Sequence, residues 1–461
     1  MSRMTAPIDD MLRRYAQSGT LRLHMPGHKG LLDPADITEI DGADVLDTAD
    51  GIIGESEKNA AALFGAGITL YSVGGSSQCI KAMLAAVLQG ASGARRVIAA
   101  RNAHRAFLHA AALLDIDPEW LYPPTGTHLC ACPVSPAALD AALSRGERTA
   151  AVYVTSPDYL GHVQDIRTVA AVCRAHGVPL LVDGAHGAYL PFLPGGSDPL
   201  ADGAAMWCCS GHKTLPVLTG GAYLHVSARY RDVCGRTAPT PALLRAMMSV
   251  FGSSSPPYPI LRSLDLANVA LSDDLPAQLA ACAARVGALR AQLAALGWHT
   301  AGDEPLKLTV DCAVSGYTGT AAADHLRAHR IEPEYADRRF LVLMFAPATP
   351  EEGYPAVLRA FAALPVRPPL PDDGADLPPA ERRMSVRAAM LAPQQIVSVQ
   401  DAAGRICGAP IVGCPPAVPI AVSGETIGEE AVRACRYHGI RTLSVVQEQQ
   451  KRQALPSLSH E

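Results

Sequence analysis

Aromatic residues and net charge are both scarce in this sequence. Phenylalanine, tryptophan and tyrosine make up 5% of the 461 residues, and 39 basic against 44 acidic side chains leave a formal charge of −5. No basic stretch predicts a nucleic-acid surface, and no polybasic run predicts binding to anionic lipid. A small molecule is therefore the expected partner.

Long apolar runs and a signal peptide are also missing. The longest runs, around 82–88 and 277–296, are short or interrupted by arginine and glutamine, and both fall well under the ~20 apolar residues that cross a bilayer. The N-terminus lacks a charged start followed by an apolar core. We therefore expect a cytoplasmic protein that does not enter a membrane.

The twelve cysteines lack the regular spacing of a disulfide framework. The close pairs Cys130/Cys132 and Cys208/Cys209 also lack the spacing of standard zinc ligands. We interpret them as reduced thiols that act as small, buried apolar side chains. No metal site is predicted.

What the sequence does contain is the pattern of a large α/β protein. Apolar residues reach 49%, and the length is about three times the ~150 residues of an average domain. Between about residues 65 and 226, short apolar runs alternate with helical stretches at 78–88 and 167–176, which predicts a mainly parallel sheet with helices on both faces. The expected strands are 97–100, 151–155, 179–183, 204–208 and 221–226.

Polar side chains gather just beyond the ends of these strands. In open α/β sheets, ligands bind outside the carboxyl ends of the strands, so this clustering predicts where the site lies. The polar residues are Asn102 and His104, Ser156 and Asp158, Asp183 and His186, and the segment Ser210 to Lys213.

The rest of the chain predicts further units. A helix over 275–296 has Pro276 in its first turn and ends at Gly297, and strands at 306–311 and 339–345 flank a helix near 320–329. A stretch rich in proline and acid then predicts an extended linker. The predicted domains are an N-terminal arm (1–60), a large domain (61–275), a small α/β domain (276–365), a linker (366–380) and a C-terminal domain (381–461).

Lysine is rare, and one lysine has a distinctive setting. Six lysines stand against thirty-three arginines, and Lys213 follows a predicted strand within CSGHKTLPVLTGGAYLH. A lysine kept among apolar neighbours has a lowered pKa and can attack an aldehyde. Lys213 is therefore a candidate for a Schiff base, the alternative being a surface lysine after a turn.

Three other segments have possible ligand-binding roles. Asp183 ends an apolar strand, so its carboxylate could pair with a protonated heterocyclic nitrogen, or it could simply cap a turn. Gly74 to Ser77 precede a helical stretch, as in a phosphate cradle or an ordinary helix cap. His104 follows a strand and could lie against an aromatic ring, or it could be a structural histidine.

These four segments occur in the order of a pyridoxal-phosphate enzyme of the aspartate-aminotransferase fold. More narrowly, the chain resembles the Orn/Lys/Arg decarboxylase family in its short form, which lacks the N-terminal wing domain. The resemblance covers nearly the whole chain. It is carried by LHMPGHKG (23–30), TSPDYLG (155–161), DGAHGA (183–188), SGHKTLPVLTGGAYLH (210–225) and AAGRICGAPIVGCPPAVPIAVSGETI (402–427).

The resemblance implies an α/β fold of pyridoxal-phosphate fold type I and assigns roles to individual residues. Lys213 would bind pyridoxal 5'-phosphate as a Schiff base, Asp183 would pair with the pyridine nitrogen, and His104 would stack on the ring. The phosphate would be held by Ser76, Ser77 and Ser210. His212 and His186 would lie near the reacting carbon or carboxylate, and either His212 or Lys213 would return the proton.

The resemblance also implies an assembly, an activity and two residues at the rim. Ser254 would reach the phosphate of a neighbouring subunit, giving a homodimer with shared active sites or a higher oligomer. His28 and Lys29 would lie near the mouth of the site. The implied reaction is decarboxylation of arginine, lysine or ornithine; the alternatives are an aminotransferase or other lyase, and a cofactor-binding pseudoenzyme that serves as a regulatory subunit.

Several positions depart from the family pattern and leave the substrate open. Gly184 replaces an acidic residue, Tyr189 stands where histidine is frequent, and Ala106 replaces a serine. Further departures are Gly211, Gly220, Cys414 and Ser423. The acid that would meet a basic side chain is not evident, and Glu425 and Asp158 are the two candidates.

Overall fold

The computed structural model of the protein describes residues 4–371, 377–413 and 417–447. Cys414, five residues of the predicted linker and residues 448–461 lie outside these ranges. Eleven of the cysteines are described, and all of them are buried and free. Of the helices described, none has both the length and the apolar character needed to span a bilayer.

The centre of the molecule is a seven-stranded sheet. Its strand order is β1-β7-β6-β5-β4-β2-β3, and only β7 runs against the others. The central strands are buried along nearly their whole length because helices cover both faces. The strands are β1 (Ala66–Ser72), β2 (Arg96–Ala100), β3 (Asp117–Leu121), β4 (Thr149–Thr155), β5 (Leu180–Asp183), β6 (Met206–Cys209) and β7 (Ala222–Ser227).

Fifteen α-helices are described, and most of them surround this sheet. The first ten are α1 (Pro7–Gln17), α2 (Ile52–Leu63), α3 (Gly75–Gln89), α4 (Arg105–Leu114), α5 (Pro136–Leu143), α6 (Ile166–Ala175), α7 (Gly211–Thr214), α8 (Tyr230–Cys234), α9 (Pro241–Val250) and α10 (Tyr258–Ser272). The others are α11 (Leu275–Ala295), α12 (Gly319–Ala328), α13 (Gly353–Ala362), α14 (Val386–Leu391) and α15 (Glu429–Tyr437).

A smaller four-stranded sheet follows the long helix α11. Its order is β10-β11-β9-β8, and every pairing is antiparallel. The strands are β8 (His299–Ala301), β9 (Lys307–Asp311), β10 (Tyr335–Ala336) and β11 (Phe340–Met344). The last part of the chain forms two strand pairs, β12 (Gln394–Ser398) with β15 (Thr442–Val446), and β13 (Ile411–Val412) with β14 (Pro419–Ala421).

The predicted strands and helices are confirmed to within two residues at most ends. In the large sheet, β1 and β3 were not predicted, and the short strands β8, β10 and β12 to β15 were not predicted either. β3 has the sequence DPEWL and lies at the edge of the sheet, where proline and charged side chains are tolerated. Its composition therefore lacks the apolar signal of the central strands. The domain limits given above remain a prediction.

Candidate active site

A cavity of about 480 Å³ lies at the carboxyl ends of the central strands of the large sheet. Residues from the small sheet's unit and from the C-terminal part, Glu334, Ala417 and Val418, also line it. Eight of the nine predicted site residues line this cavity, namely Ser76, Ser77, His104, Asp183, His186, Ser210, His212 and Lys213. The structure thus brings together side chains that are up to 137 positions apart in the sequence.

Lys213 lies in the single helical turn α7, directly after the buried strand β6. The chain turns back into β7 through Gly220. Its φ of +102° suits glycine, and the Cβ of any other residue at this position would meet the Val73 carbonyl. The Lys213 Nζ lies 3.1 Å from the Nε2 of His186. Burial lowers the pKa of Lys213, although the Asp183 carboxylate opposes this shift. The amine is therefore biased toward its neutral, nucleophilic form.

Asp183 is the last residue of β5 and is buried. Its Oδ2 accepts a hydrogen bond from the Tyr153 hydroxyl at 2.9 Å, and its Oδ1 accepts one from the Ala185 N–H at 3.2 Å. Burial raises the pKa of Asp183, and the bond from Tyr153 and the charge of Lys213 counteract this rise. A protonated heterocycle in the cavity would supply the positive partner that a buried carboxylate needs.

The N-terminus of α3 faces the cavity through Gly74 to Ser77. Gly75 has a φ of +70°, and its N–H donates to the Gly220 carbonyl at 2.8 Å, which fixes this turn to the loop after Lys213. Ser72 donates its hydroxyl to Gln78 Oε1 at 2.6 Å and so tightens the turn from inside. Free N–H groups and the helix dipole make such a terminus attractive to a phosphate.

Three histidines complete the cavity wall. His104 caps α4, with its Nδ1 accepting the Ala106 N–H at 3.1 Å, and burial lowers its pKa to about 4. Burial also lowers the pKa of His186 well below its ordinary range and that of His212 more mildly. The His212 Nδ1 lies 3.0 Å from the Gly221 carbonyl, so it carries a proton and leaves Nε2 as an acceptor.

Several predicted residues lie elsewhere in this chain. Ser254 is exposed and is not among the described residues that line the cavity, so a contact with a neighbouring subunit's phosphate stays a prediction. His28 contacts Asp36 at 3.0 Å, and neither His28 nor Lys29 is a lining residue. Their placement at the mouth of the site is therefore not supported within one subunit.

The two acids considered for a basic side chain are engaged elsewhere. Asp158 is buried and binds the His162 ring and two backbone N–H groups. Glu425 accepts the Val422 N–H and faces Arg101. The acid that does line the cavity, besides Asp183, is Glu334, and sequence reasoning missed it because IEPEYADR contains no motif around it.

Two departures from the family pattern have local explanations. A side chain at Gly184 would overlap the indole nitrogen of Trp207, so the acid that is usual at this position has no room. Tyr189 donates its hydroxyl to Glu304 at 3.2 Å and accepts the Leu306 N–H at 3.1 Å. It therefore joins the large sheet's unit to the small one and does not line the cavity.

The residues fit pyridoxal 5'-phosphate on an observation independent of any comparison. Within the described chain, the buried atoms Ser210 Oγ and His186 Nδ1 have no hydrogen-bond partner, and both residues line the cavity. Buried polar atoms without partners are rare and often mark a ligand site. A phosphate hydroxyl or oxygen would satisfy Ser210, and the pair Lys213 and Asp183 matches an aldehyde and a pyridine nitrogen.

The family model for the Orn/Lys/Arg decarboxylase major domain matches residues 31–301, which is more than half of the chain. The chain belongs to the Orn/Lys/Arg decarboxylase family. An uncharacterized protein of Bacillus subtilis is 27% identical over 93% of both chains. An arginine decarboxylase of Halalkalibacterium halodurans is 27% identical over 90% of this chain and 89% of its own. Membership of the family makes this protein a decarboxylase.

Solved structures support the fold assignment. A lysine decarboxylase of Francisella novicida superimposes with a TM-score of 0.78 at 15% identity, covering 96% of this chain and 81% of its own. An alanine–glyoxylate aminotransferase of Nostoc reaches 0.54 at 18% identity, with coverages of 70% and 89%. This Orn/Lys/Arg decarboxylase family member therefore has the pyridoxal-phosphate fold type I, as predicted.

Proposed function

We propose that this family member decarboxylates a basic L-amino acid, either arginine, lysine or ornithine, to the corresponding amine and carbon dioxide. The observation that carries the substrate class is Glu334. It is one of two carboxylates among the described lining residues, and the other, Asp183, is bonded to Tyr153 within the sheet. Glu334 accepts the Tyr159 hydroxyl at 2.9 Å through Oε1, which leaves Oε2 for a cationic side chain.

We assign the cofactor contacts to residues that line the cavity. Lys213 would bind the aldehyde of pyridoxal 5'-phosphate, and Asp183 would hold the proton on its ring nitrogen. The helix α3 terminus with Ser76, Ser77 and Ser210 would hold the phosphate, and His104 would lie along the ring. When bound, this cofactor supplies an electron sink for the electrons released by the breaking bond to the carboxylate.

The chain's own groups account for the proton steps. The lowered pKa of Lys213 favours the neutral amine that can attack an aldehyde. After carbon dioxide leaves, Cα must receive a proton, and the two candidate donors are Lys213 and, once its Nε2 has taken up a proton, His212. His186 lies 3.1 Å from Lys213 and can orient its amine while accepting or donating a proton at Nε2.

We also propose a homodimer, on the basis of the exposed N-terminal arm. Between residues 21 and 32, four leucines and one methionine are exposed by 64 to 89%. A monomer rarely leaves such a concentration of large apolar side chains in water. A second copy of the chain covering this segment would also give the exposed Ser254 a site to reach.

The direct test is product identification. Purified protein is incubated with pyridoxal 5'-phosphate and, separately, with arginine, lysine or ornithine, and the amine and carbon dioxide are measured. Decarboxylation of one basic amino acid supports the proposal. Formation of a keto acid would instead support the aminotransferase alternative, and a cofactor spectrum without any product would support the pseudoenzyme.

The role of Glu334 is tested with a matched control. Glu334→Gln should raise KM for the basic substrate about tenfold or more while kcat changes little, because a charge-assisted contact is lost from substrate binding. Glu332→Gln alters a nearby exposed acid that pairs with Arg327 and does not line the cavity, and it should leave KM unchanged. Equal KM values for the two variants would remove Glu334 from substrate recognition.

A further inference from the structure

Lys307 is a lysine buried near the active site without lining it. It begins strand β9, is 1% exposed, and lies with its Nζ 2.8 Å from the Oε2 of the equally buried Glu304. The Nζ also lies 3.4 Å from the Asp158 carbonyl and 5.8 Å from the centre of the Tyr159 ring. Lysine is almost never fully buried unless it is paired, since its desolvation must be offset.

The Tyr159 ring separates the Lys307 ammonium from the His186 ring, which contacts the Lys213 amine. The Tyr159 ring, which lines the cavity, meets the edge of the His186 ring at a centroid distance of 5.2 Å. The Nε2 of His186 is 3.1 Å from the Nζ of Lys213. A positive charge behind Tyr159 therefore acts on the His186–Lys213 pair through buried protein, which screens a charge less than water does.

The ion pair is polarised with its ammonium toward the site. The Glu304 carboxylate is held by the Tyr189 hydroxyl, which is not a cavity residue, whereas the ammonium faces Tyr159. After burial, the charge of Lys307 is one of the causes that lower the pKa of Lys213 and of His186. Glu304 is not among the main causes for either group, so the two charges of the pair cancel only in part at Lys213.

The loop that Lys307 contacts is already held without its charge. The N–H groups of Asp303 and Glu304 donate to the Gly161 carbonyl at 2.7 and 2.8 Å. Thr309 donates its hydroxyl to the Leu160 carbonyl at 2.8 Å. These neutral contacts fasten the segment 158–161 to the small sheet's unit, so the segment does not depend on the long bond from the Lys307 ammonium to the Asp158 carbonyl alone.

We propose that Lys307 is a positioning residue for Lys213, whose fixed positive charge disfavours a second positive charge on the Lys213 nitrogen and keeps that nitrogen nucleophilic. The inference rests on the proposed function, in which Lys213 binds the cofactor. Other titratable groups also face Lys213, and they stay in place when Lys307 is changed. They are Asp183, Glu334, His104, His186, His212 and Cys208.

The test follows the protonation of the Lys213 nitrogen in the full-length protein loaded with pyridoxal 5'-phosphate and without substrate. The midpoint of the pH-dependent change in visible absorbance is measured for each variant. Replacing both charges in Glu304→Gln/Lys307→Met should raise the midpoint by up to about one pH unit, since one uncompensated charge at an effective dielectric of about 20 sets the upper limit. Lys307→Arg, which retains the charge, should leave the midpoint near that of the unaltered protein.

Two further variants separate charge from structure. Glu304→Gln keeps Lys307 and its packing but removes the neutralising acid, so the midpoint should fall; this single change also keeps the idea testable if the double variant does not fold. Thr309→Val removes a neutral contact to the same loop and should leave the midpoint unchanged.

The results distinguish this proposal from the proposed function. Loaded double and Glu304→Gln variants with unmoved midpoints, or an equal shift in Thr309→Val, would overturn the role of Lys307. A protein that takes up no cofactor at all would overturn the proposed function as well.

Discussion

The active-site cavity and the contacts between the structural units both contain buried ionisable groups. The groups in the cavity are shifted toward their uncharged forms, whereas the acids between the units have basic partners. In the cavity, burial moves the pKa of Lys213, His104, His186 and His212 down and that of Asp183 up, so each group moves toward its uncharged form. The junction, by which we mean the pairs Glu304–Lys307 and His128–Asp337, keeps each buried acid beside a basic side chain at 2.8 Å.

Burial raises the pKa of an acid only where no partner compensates for it. At Asp337, burial raises the pKa, but hydrogen bonds from His128 and Tyr335 and the charge of His128 lower it to about 2 overall. Asp183 also accepts a tyrosine hydroxyl, yet its pKa remains raised because no cation is within hydrogen-bond distance in the described chain. A charged ligand would therefore supply the partner that Asp183 lacks, whereas the acids of the junction already have basic partners within the protein.

The largest expected effect is the loss of the reactive amine. Lys213→Ala should reduce decarboxylation by about 10⁴-fold or more, because the described residues that line the cavity include no second lysine to bind the cofactor aldehyde. Borohydride reduction of the loaded, unaltered protein followed by peptide mapping should place the pyridoxyl group on Lys213 and none on Lys307. A pyridoxyl group on Lys307 would erase the distinction between the two lysines.

Breaking a junction pair should cost stability. Lys307→Met alone leaves Glu304 buried without a cation and should lower the free energy of unfolding by about 3–5 kcal/mol, whereas Glu304→Gln/Lys307→Met should cost much less. Urea denaturation measures both. Equal losses would mean that packing around β9, and not charge pairing, sets the stability there.

Removing the Asp183 carboxylate should affect activity more than stability. Asp183→Ala should lower activity by roughly 10²- to 10³-fold, because the group that holds the proton on the ring nitrogen is gone. Some cofactor binding should survive, and the free energy of unfolding should fall less than in Lys307→Met. Unchanged activity would exclude Asp183 from the chemistry.

A smaller effect is expected from acid. The pKa of His104 is about 4 in the folded protein against an ordinary 6.5, so between these values the unfolded chain binds more protons and stability falls as pH falls. Allowing for its partial exposure, His104 should account for roughly 1–2 kcal/mol of the loss between pH 7 and 5. His104→Gln should flatten this acid limb in denaturation experiments on cofactor-free protein, and an unaltered limb would contradict the assignment.

The residues of the cavity at the strand ends could be predicted from the sequence, whereas those of the junction could not. The central strands and the residues after them are encoded locally, since apolar runs of strand length end in Asp183 or lead into Lys213. The junction is not: Glu304 and Lys307 lie in a stretch, DEPLKL, that has no polar pattern of its own, and their role depends on contacts with residues 158–161 and 189. Glu334 escaped prediction for the same reason.

The departures at Gly184 and Tyr189 show how such distant contacts limit a sequence reading. Each is a change of side chain whose reason lies far along the chain, at Trp207 for Gly184 and at Glu304 for Tyr189. Neither could be interpreted until the partner was known. β3 was missed because proline and charge at a sheet edge have the composition of a loop.

The cavity wall draws on Glu334, Ala417 and Val418, all of which come after residue 301, where the match to the major domain ends. If Glu334 binds the substrate side chain as proposed, the choice of substrate depends on a part of the chain that lies after the match to the major domain, whereas Lys213 and Asp183 lie within that match. Two relatives that share the first three hundred residues could then act on different amino acids by the same reaction.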